Sequence, residues 1–326
     1  MISFPKSIEQ AAASPGEVRA GGTDLQERRH LGLATGDLVD LRDVPDLAGI
    51  TADAVELHLG AGLTLAALAA DPGVQAGFPG IAAAAGGLAT PQIRSRATLA
   101  GSLLQEVRCW YYRNPRLQCL KKGGSACMAR QGDHLFHAAW DLGPCVAPHP
   151  STMAVALWAY DAQVELSTGA RRDIPSLLGT GADPRQTHAL APGELLKAVH
   201  VPTVLAGERA AYGRAISRAR AEWPLAEAVV RLRIGRKNKI ELARVVVGGV
   251  ANRPLDMGAV AEALLGLEAT DEVLAAAAAK AAEGASPLPM TAYKVKLLPG
   301  LLRSLLIQAR DGAPSAALPP TPALPR

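Results

Sequence analysis

Four cysteines stand at positions 109, 119, 127 and 145, and the chain has no others. Their confinement to one stretch of a 326-residue chain points to a shared task. Turn formers separate them, at Asn114-Pro115, Lys121-Lys122-Gly123-Gly124 and Gly143-Pro144. A long irregular insertion inside a compact domain usually carries function. Three chemistries suit Cys109, Cys119, Cys127 and Cys145. Two disulfides are disfavoured, because cytosolic proteins rarely hold them and the first residues lack the features of an export signal. A structural zinc takes four thiolates, but the paired C-x₂₋₄-C knuckles usual in such sites are missing. A [4Fe–4S] cluster also takes four thiolates and tolerates wide spacing when a long loop encloses it. Spacing leaves zinc and iron–sulfur both open. Arg108, Arg113, Arg116, Lys121, Lys122 and Arg130 surround the cysteines. They would offset the anionic charge of a thiolate cluster, or else form an ordinary solvated basic loop. His134, His137 and His149 lie nearby, and four thiolates already complete a ligand set, so these rings are expected to pack or hydrogen-bond.

A second chemistry is suggested by two small-residue bends. Ala20-Gly21-Gly22-Thr23-Asp24 follows an expected strand, Glu17–Ala20, and precedes an expected helix, Leu25–Leu31. Glycines let backbone amides converge on phosphate oxygens with no Cβ in the way. Alone, such a bend is more often an ordinary tight turn, and it is neither a G-x-G-x-x-G fingerprint nor a Walker loop. Thr98-Leu99-Ala100-Gly101-Ser102, after Pro91-Gln92-Ile93-Arg94, is the second. Two bends in one domain favour a dinucleotide, without naming it.

The elements that must position these residues read as α+β. The chain is 49% hydrophobic and 20% charged with a formal net charge of +4, which suits a globular protein and gives no reason to expect nucleic acid. Its length favours two domains. Strands are expected at Asp37–Leu41, Val55–Gly60 and Asp161–Ser167, and helices at 7–16, Leu63–Ala70 and Ile81–Leu88. After about 175 the pattern shifts to strands near Leu196–Val201, Ala210–Ser217, Ala226–Ile234 and Glu241–Val250, followed by helices at Val260–Leu267, Asp271–Glu283 and Ala292–Ala309. The division therefore falls at 1–175 and 176–311, with a disordered proline-rich tail at 312–326. The apolar runs are too short or too alanine-rich to span a bilayer. The expectation is a soluble protein, cytoplasmic or else periplasmic if carried out by a signal-bearing partner.

With these residues in view, the chain resembles the FAD-binding subunits of the xanthine dehydrogenase and carbon monoxide dehydrogenase family of molybdenum hydroxylases. The matching pieces are Arg19-Ala20-Gly21-Gly22-Thr23-Asp24-Leu25, then Gln92-Ile93-Arg94 with Thr98-Leu99-Ala100-Gly101, then Pro150-Ser151 with Met153–Leu166, and Val247-Gly248-Gly249-Val250-Ala251 with Arg253-Pro254. They run in family order from about residue 1 to 310. Most members lack the cysteine insertion at 106–148. The insertion is similar to that of the flavin subunits of bacterial periplasmic aldehyde oxidoreductases and, next, of 4-hydroxybenzoyl-CoA reductases, both of which carry a [4Fe–4S] cluster there. Xanthine dehydrogenase-like enzymes are a further alternative, and a zinc-stapled, non-catalytic interaction module is the alternative of another class.

The resemblance implies a two-subdomain FAD-binding domain of the PCMH/VAO-like type, followed by a domain of small antiparallel sheet plus helices. It implies that Glu17, Val18, Arg19, Ala20, Gly21, Gly22, Thr23, Asp24 and Leu25 wrap the FAD pyrophosphate, with Thr98, Gly101 and Ser102 completing the cradle. Arg108 would pair with a phosphate, Ser151 would approach the flavin, and Trp223 would pack near the isoalloxazine or serve only as a core tryptophan. Three departures stand out. Ser102 replaces a usual Asn, Thr152 stands where many relatives have Asp, and Ile216 lies where a basic residue is common, leaving Arg214 or Arg218 for that role. Cys109, Cys119, Cys127 and Cys145 would ligate the [4Fe–4S] cluster. The implied activity is electron transfer within a heterotrimer. A molybdenum-cofactor subunit would oxidise substrate, and electrons would pass through a partner's [2Fe–2S] centres to FAD here and on to an external acceptor. No catalytic acid–base residue is expected in this chain.

Overall fold

The computed structural model describes residues 1–312 apart from Asp46 and Arg220. The tail expected at 312–326 thus lies, beyond Gly312, outside the described residues.

Three sheets organise the described residues. The smallest is parallel, with Leu38–Asp40 between Ile2–Ser3 and Glu17–Arg19. The chain leaves Glu17–Arg19 through the glycine bend and enters the helix Leu25–His30. A five-stranded antiparallel sheet follows, in the order Ile50–Ala52, Glu56–Gly60, Leu196–Pro202, Gln163–Leu166, Arg171–Asp173. Glu208–Ala215, Ala226–Ile234, Ile240–Gly248 and Leu255–Asp256 build the third sheet, also antiparallel.

Leu196–Pro202, grouped by sequence with the second domain, is the central strand of the five-stranded sheet. The division at 175/176 therefore does not coincide with a sheet boundary. Alternation marks a segment as extended but says nothing about which edge it joins. The helix expected over Val260–Leu267 is shorter, Gly258–Glu262.

Two cores result. The first gathers the parallel and five-stranded sheets around the helices Leu65–Ala70, Pro79–Gly87 and Thr152–Ala159. In the second, the helix Ala292–Asp311 lays Leu298, Leu302, Leu305, Leu306 and Ala309 on the third sheet. That is the i, i+4, i+7, i+8 stripe of a one-sided helix. The cores meet across Ala226–Ile234: Val229 enters the first, while Ala228, Val230 and Leu232 enter the second. Both faces of this strand are covered, so apolar side chains point both ways and its buried Arg231 is paired with Glu208 at 2.6 Å. Among the described residues no helix is long and apolar enough to cross a membrane.

Candidate functional site

Gly21 and the chain at Arg96-Ala97 touch. A Cβ on Gly21 would lie 1.9 Å from the Arg96 carbonyl oxygen, so only glycine lets the two bends close on each other. Gly22 has φ +73°, in the left-handed region that side chains disfavour. The second bend is braced from behind, where the amides of Leu99 and Ala100 donate to the carbonyls of Leu63 and Ala61. Thr98 caps the short helix Leu99–Leu103, its hydroxyl oxygen accepting from the Gly101 amide at 3.2 Å. That amide is therefore engaged, and the Thr98 and Ser102 hydroxyls, each on a cleft wall, are the side-chain donors of this bend.

Three adjoining clefts open around the bends. One, of about 430 Å³, is lined by residues 17–25, by Thr98 and Gly101, and by Leu190–Leu196 on the opposite wall, apart from Gly193. A second, of about 660 Å³, runs from Arg19, Ala20 and Gly21 past Asp40, Leu47 and Ala61 to Arg96. The third, of about 250 Å³, passes from Thr23 and Asp24 along Gly101, Ser102 and Thr152 to Arg214 and Trp223. Neighbouring clefts share Gly21 and Thr98 on one side, and Thr23, Asp24 and Gly101 on the other. A long ligand gripped at its middle suits such a trough, and each cleft is near or within the size range of small-molecule sites.

Asp24 closes the first bend with charge. Its carboxylate accepts from Arg113 at 2.6 Å, Arg28 at 3.1 Å and the Glu106 amide at 3.2 Å, with Arg108 at 3.0 Å. Burial would raise its pKa, but Arg108, then Arg113 and the Glu106 amide, outweigh burial and hold it below the usual carboxylate value. Arg28 also bonds Glu17, one strand away.

Arg108 is engaged differently from the expectation of a phosphate partner. It binds Asp24 and, at 2.7 Å, Glu27, and its guanidinium lies 4.6 Å from the centre of the Trp223 ring. The two carboxylates occupy its donors, and the cation–π contact holds its face. Trp223 is 45% exposed and lines the third cleft, so it is a wall residue, not a core one. Ser151 also departs from expectation: it is buried and caps the helix Thr152–Ala159 by accepting from the Ala154 amide at 3.1 Å. Its neighbours Pro150 and Thr152 face the cleft instead. Of the two basic residues considered beside Ile216, Arg214 lines that cleft.

Behind Thr152 lies a group that sequence reading missed. Glu227 is fully enclosed and accepts from the Thr152 hydroxyl at 2.8 Å and the Tyr212 hydroxyl at 3.0 Å. Burial pushes its pKa up to about 7, against the pull of these two bonds and of Arg214. Only its place among small and apolar residues at the start of the strand Ala226–Ile234 signals it. Leu190–Leu196 was missed as well, and nothing in its residue types marks it as a cleft wall.

Beside the trough, Cys109, Cys119, Cys127 and Cys145 all line one small cavity with Lys121, Tyr111 and Tyr112. All four are free thiols here. Backbone amides aim at the sulfurs: Tyr111 and Tyr112 at Cys109, Val146, Ala129 and Arg130 at Cys127, and Ala147 at Cys145. Contact with Cys145 draws the Cys127 thiol down, while the same contact and burial raise Cys145. Burial pushes Cys109 up to about 11. Thiols gathered on one cavity, with amide donors in place, suit a bound metal group that replaces the thiol protons. Of the basic residues, Lys121 is buried at the cavity, while Arg130 pairs with Asp141 at 2.6 Å. Of the three histidines, two have partners away from the sulfurs and one approaches a cysteine. His134 sits between the Gly132 carbonyl at 2.7 Å and the Met290 amide at 3.1 Å, His149 accepts from the Ser151 amide, and His137 stands 3.2 Å behind Cys109.

Comparison with known proteins agrees with this geometry. The profile of the FAD binding domain in molybdopterin dehydrogenase matches residues 4–204, and that of the CO dehydrogenase flavoprotein C-terminal domain matches residues 211–309. The aldehyde oxidoreductase FAD-binding subunit PaoB of Escherichia coli is 33% identical over 304 residues, covering 90% of this chain and 91% of that protein. The carbon monoxide dehydrogenase medium chain of Afipia carboxidovorans is 27% identical, with 95% and 96% covered. Among solved structures, a chain of the Cu,Mo-CO dehydrogenase in its cyanide-inactivated form superposes with a TM-score of 0.74 at 25% identity, covering 95% of this chain and 96% of that one. On these matches and this fold, the chain belongs to the family of FAD-binding subunits of the molybdenum hydroxylases.

Proposed function

We propose that this chain is the FAD- and [4Fe–4S]-carrying electron-transfer subunit of an aldehyde oxidoreductase-type molybdenum hydroxylase. It would stand between the [2Fe–2S] centres of one partner, fed by a molybdenum-cofactor subunit, and an external acceptor. The observation that carries this reading is the contact of the two bends at Gly21, next to a cavity walled by all four cysteines. The full-length similarity to PaoB supports the aldehyde oxidoreductase branch.

FAD, when bound, accepts electrons in pairs and can release them singly, which joins one-electron carriers to a two-electron acceptor. The chain's own part is to bind and orient. Residues 20–24 and Thr98 line the same cleft, so the backbone amides of the bend and the Thr98 hydroxyl would serve as its phosphate donors. Asp24, neutralised by its arginines, brings no net negative charge to a diphosphate. Trp223 and Thr152 wall the third cleft, where a ring system would be shielded from water.

What favours [4Fe–4S] over zinc at these four thiols is the resemblance of the insertion to the flavin subunits named above; their convergence on one cavity suits either metal group. A cluster there supplies one-electron capacity or a structural clamp.

The test is the visible spectrum and metal content of the protein purified with its complex. Flavin absorbance near ~450 nm and about four iron per chain are expected. A colourless preparation, or one zinc without flavin, overturns the proposal in favour of the zinc-stapled module.

A further inference from the structure

On the five-stranded sheet, away from both sites above, two histidines from neighbouring strands face each other. His58 and His200 are directly paired in the register of Glu56–Gly60 and Leu196–Pro202, and their rings stand edge to face at 87°. Their Nδ1 atoms lie 2.9 Å apart. Glu56 brings a carboxylate oxygen 3.2 Å from His200 Nδ1 and 3.7 Å from His58 Nδ1. Each ring has its outer nitrogen tied to a second carboxylate: His58 Nε2 to Asp53 at 3.0 Å, His200 Nε2 to Glu165 at 2.7 Å.

With the proton of each neutral ring placed on Nε2, against Asp53 and Glu165, both inner Nδ1 atoms present lone pairs, and the Arg171 guanidinium 3.2 Å from His200 Nδ1 agrees with an acceptor there. Two lone pairs held 2.9 Å apart repel unless a proton or a cation sits between them. We propose that His58, His200 and Glu56 form a binding site for a divalent transition-metal ion of the zinc type. Three distances support it. A tetrahedral zinc with N and O ligands at about 2.0–2.1 Å has ligand–ligand edges of about 3.4 Å. The three edges here are 2.9, 3.2 and 3.7 Å, so a point about 2 Å from all three donors exists. Asp53 and Glu165 then take the part of the carboxylates that orient and polarise metal-bound histidines. The fourth position falls to water, since His58 is only half-buried.

Arg171 is the competing cation. It bonds Glu56 at 2.8 and 3.0 Å and approaches His200 Nδ1 at 3.2 Å, with its own side chain 40% exposed. Its guanidinium holds the charge balance of the metal-free cluster and must swing out when an ion enters. Lys197, bonded to Glu165 at 2.9 Å, is the remaining cation at the cluster edge.

The test titrates ZnCl₂ into the purified holoprotein, by calorimetry and zinc-edge X-ray absorption. One zinc per chain is expected with nitrogen and oxygen neighbours at about 2.0–2.1 Å and no sulfur at about 2.3 Å, which separates this site from the cysteines. His58→Ala and Glu56→Gln should each weaken binding at least tenfold, and Asp53→Asn by roughly ten- to a hundredfold. Arg171→Ala should tighten it, an effect that stray surface binding would not produce. Zinc bound only through sulfur, no zinc bound, or affinity unchanged in both His58→Ala and Glu56→Gln would overturn the assignment. Flavin absorbance in each variant reports folding, and Glu56→Gln decides if His58→Ala loses it.

Discussion

Asp24 in the glycine bend and Arg113 in the cysteine loop, 89 residues apart in sequence, meet at 2.6 Å. The same guanidinium donates to the carbonyls of Val107 at 3.0 Å and Glu106 at 3.2 Å, so the start of the insertion is tied to the trough. Replacing Arg113 by Ala should cost on the order of 2–3 kcal/mol, because it strips a buried carboxylate of one charged partner. Arg108 and Arg28 remain on Asp24, which keeps the loss below that of an isolated buried charge. Chemical denaturation measures the loss. Flavin and iron should both fall in the purified variant, whereas a bond serving only the loop would leave flavin intact.

Gly21→Ala tests the contact of the bends. The new Cβ meets a backbone oxygen, which cannot swing aside like the tip of a side chain. FAD content should drop at least tenfold in the purified protein, read from flavin absorbance against protein. Gly22→Ala should be milder, costing about 1 kcal/mol for a left-handed residue, with FAD retained.

Cys119→Ala should lose iron and soften the loop at 106–148, since metal binding and loop folding are coupled. Cys119 is the buried member of the four. Iron per chain and protease sensitivity of the loop provide the readout. Retained iron would show that Cys119 is not a ligand.

Glu227 gives a pH signature. Its folded pKa, about 7, lies above the unfolded value, so between those values the folded state holds a proton that the unfolded state has released. Stability from this group is complete below the unfolded pKa and declines as pH rises toward 7, by on the order of 3 kcal/mol across the window. Glu227→Gln removes the titration and keeps an acceptor for Thr152 and Tyr212. Urea midpoints of wild type and variant should therefore converge near pH 4.5 and diverge toward pH 7, with the variant the more stable. Parallel curves would mean that Glu227 does not titrate in this range.

The residue string by itself determined the local pieces and the chemical inventory. Strand Ala226–Ile234 and the helix starting at Ala292 follow from period and composition, and the glycine pair and the four thiols announce their chemistry through residue type. These are properties of short windows, where sterics and amphipathic spacing decide the outcome. Tertiary structure alone decided the partners. It put Leu196–Pro202 at the centre of the first domain's sheet, turned Arg108 to Asp24 and Trp223, buried Ser151 as a helix cap, and set Glu227 behind the cleft wall. It also brought His58 and His200, 142 positions apart, to one place. Pairing across such distances depends on which apolar faces cover each other, and no window of sequence contains that information.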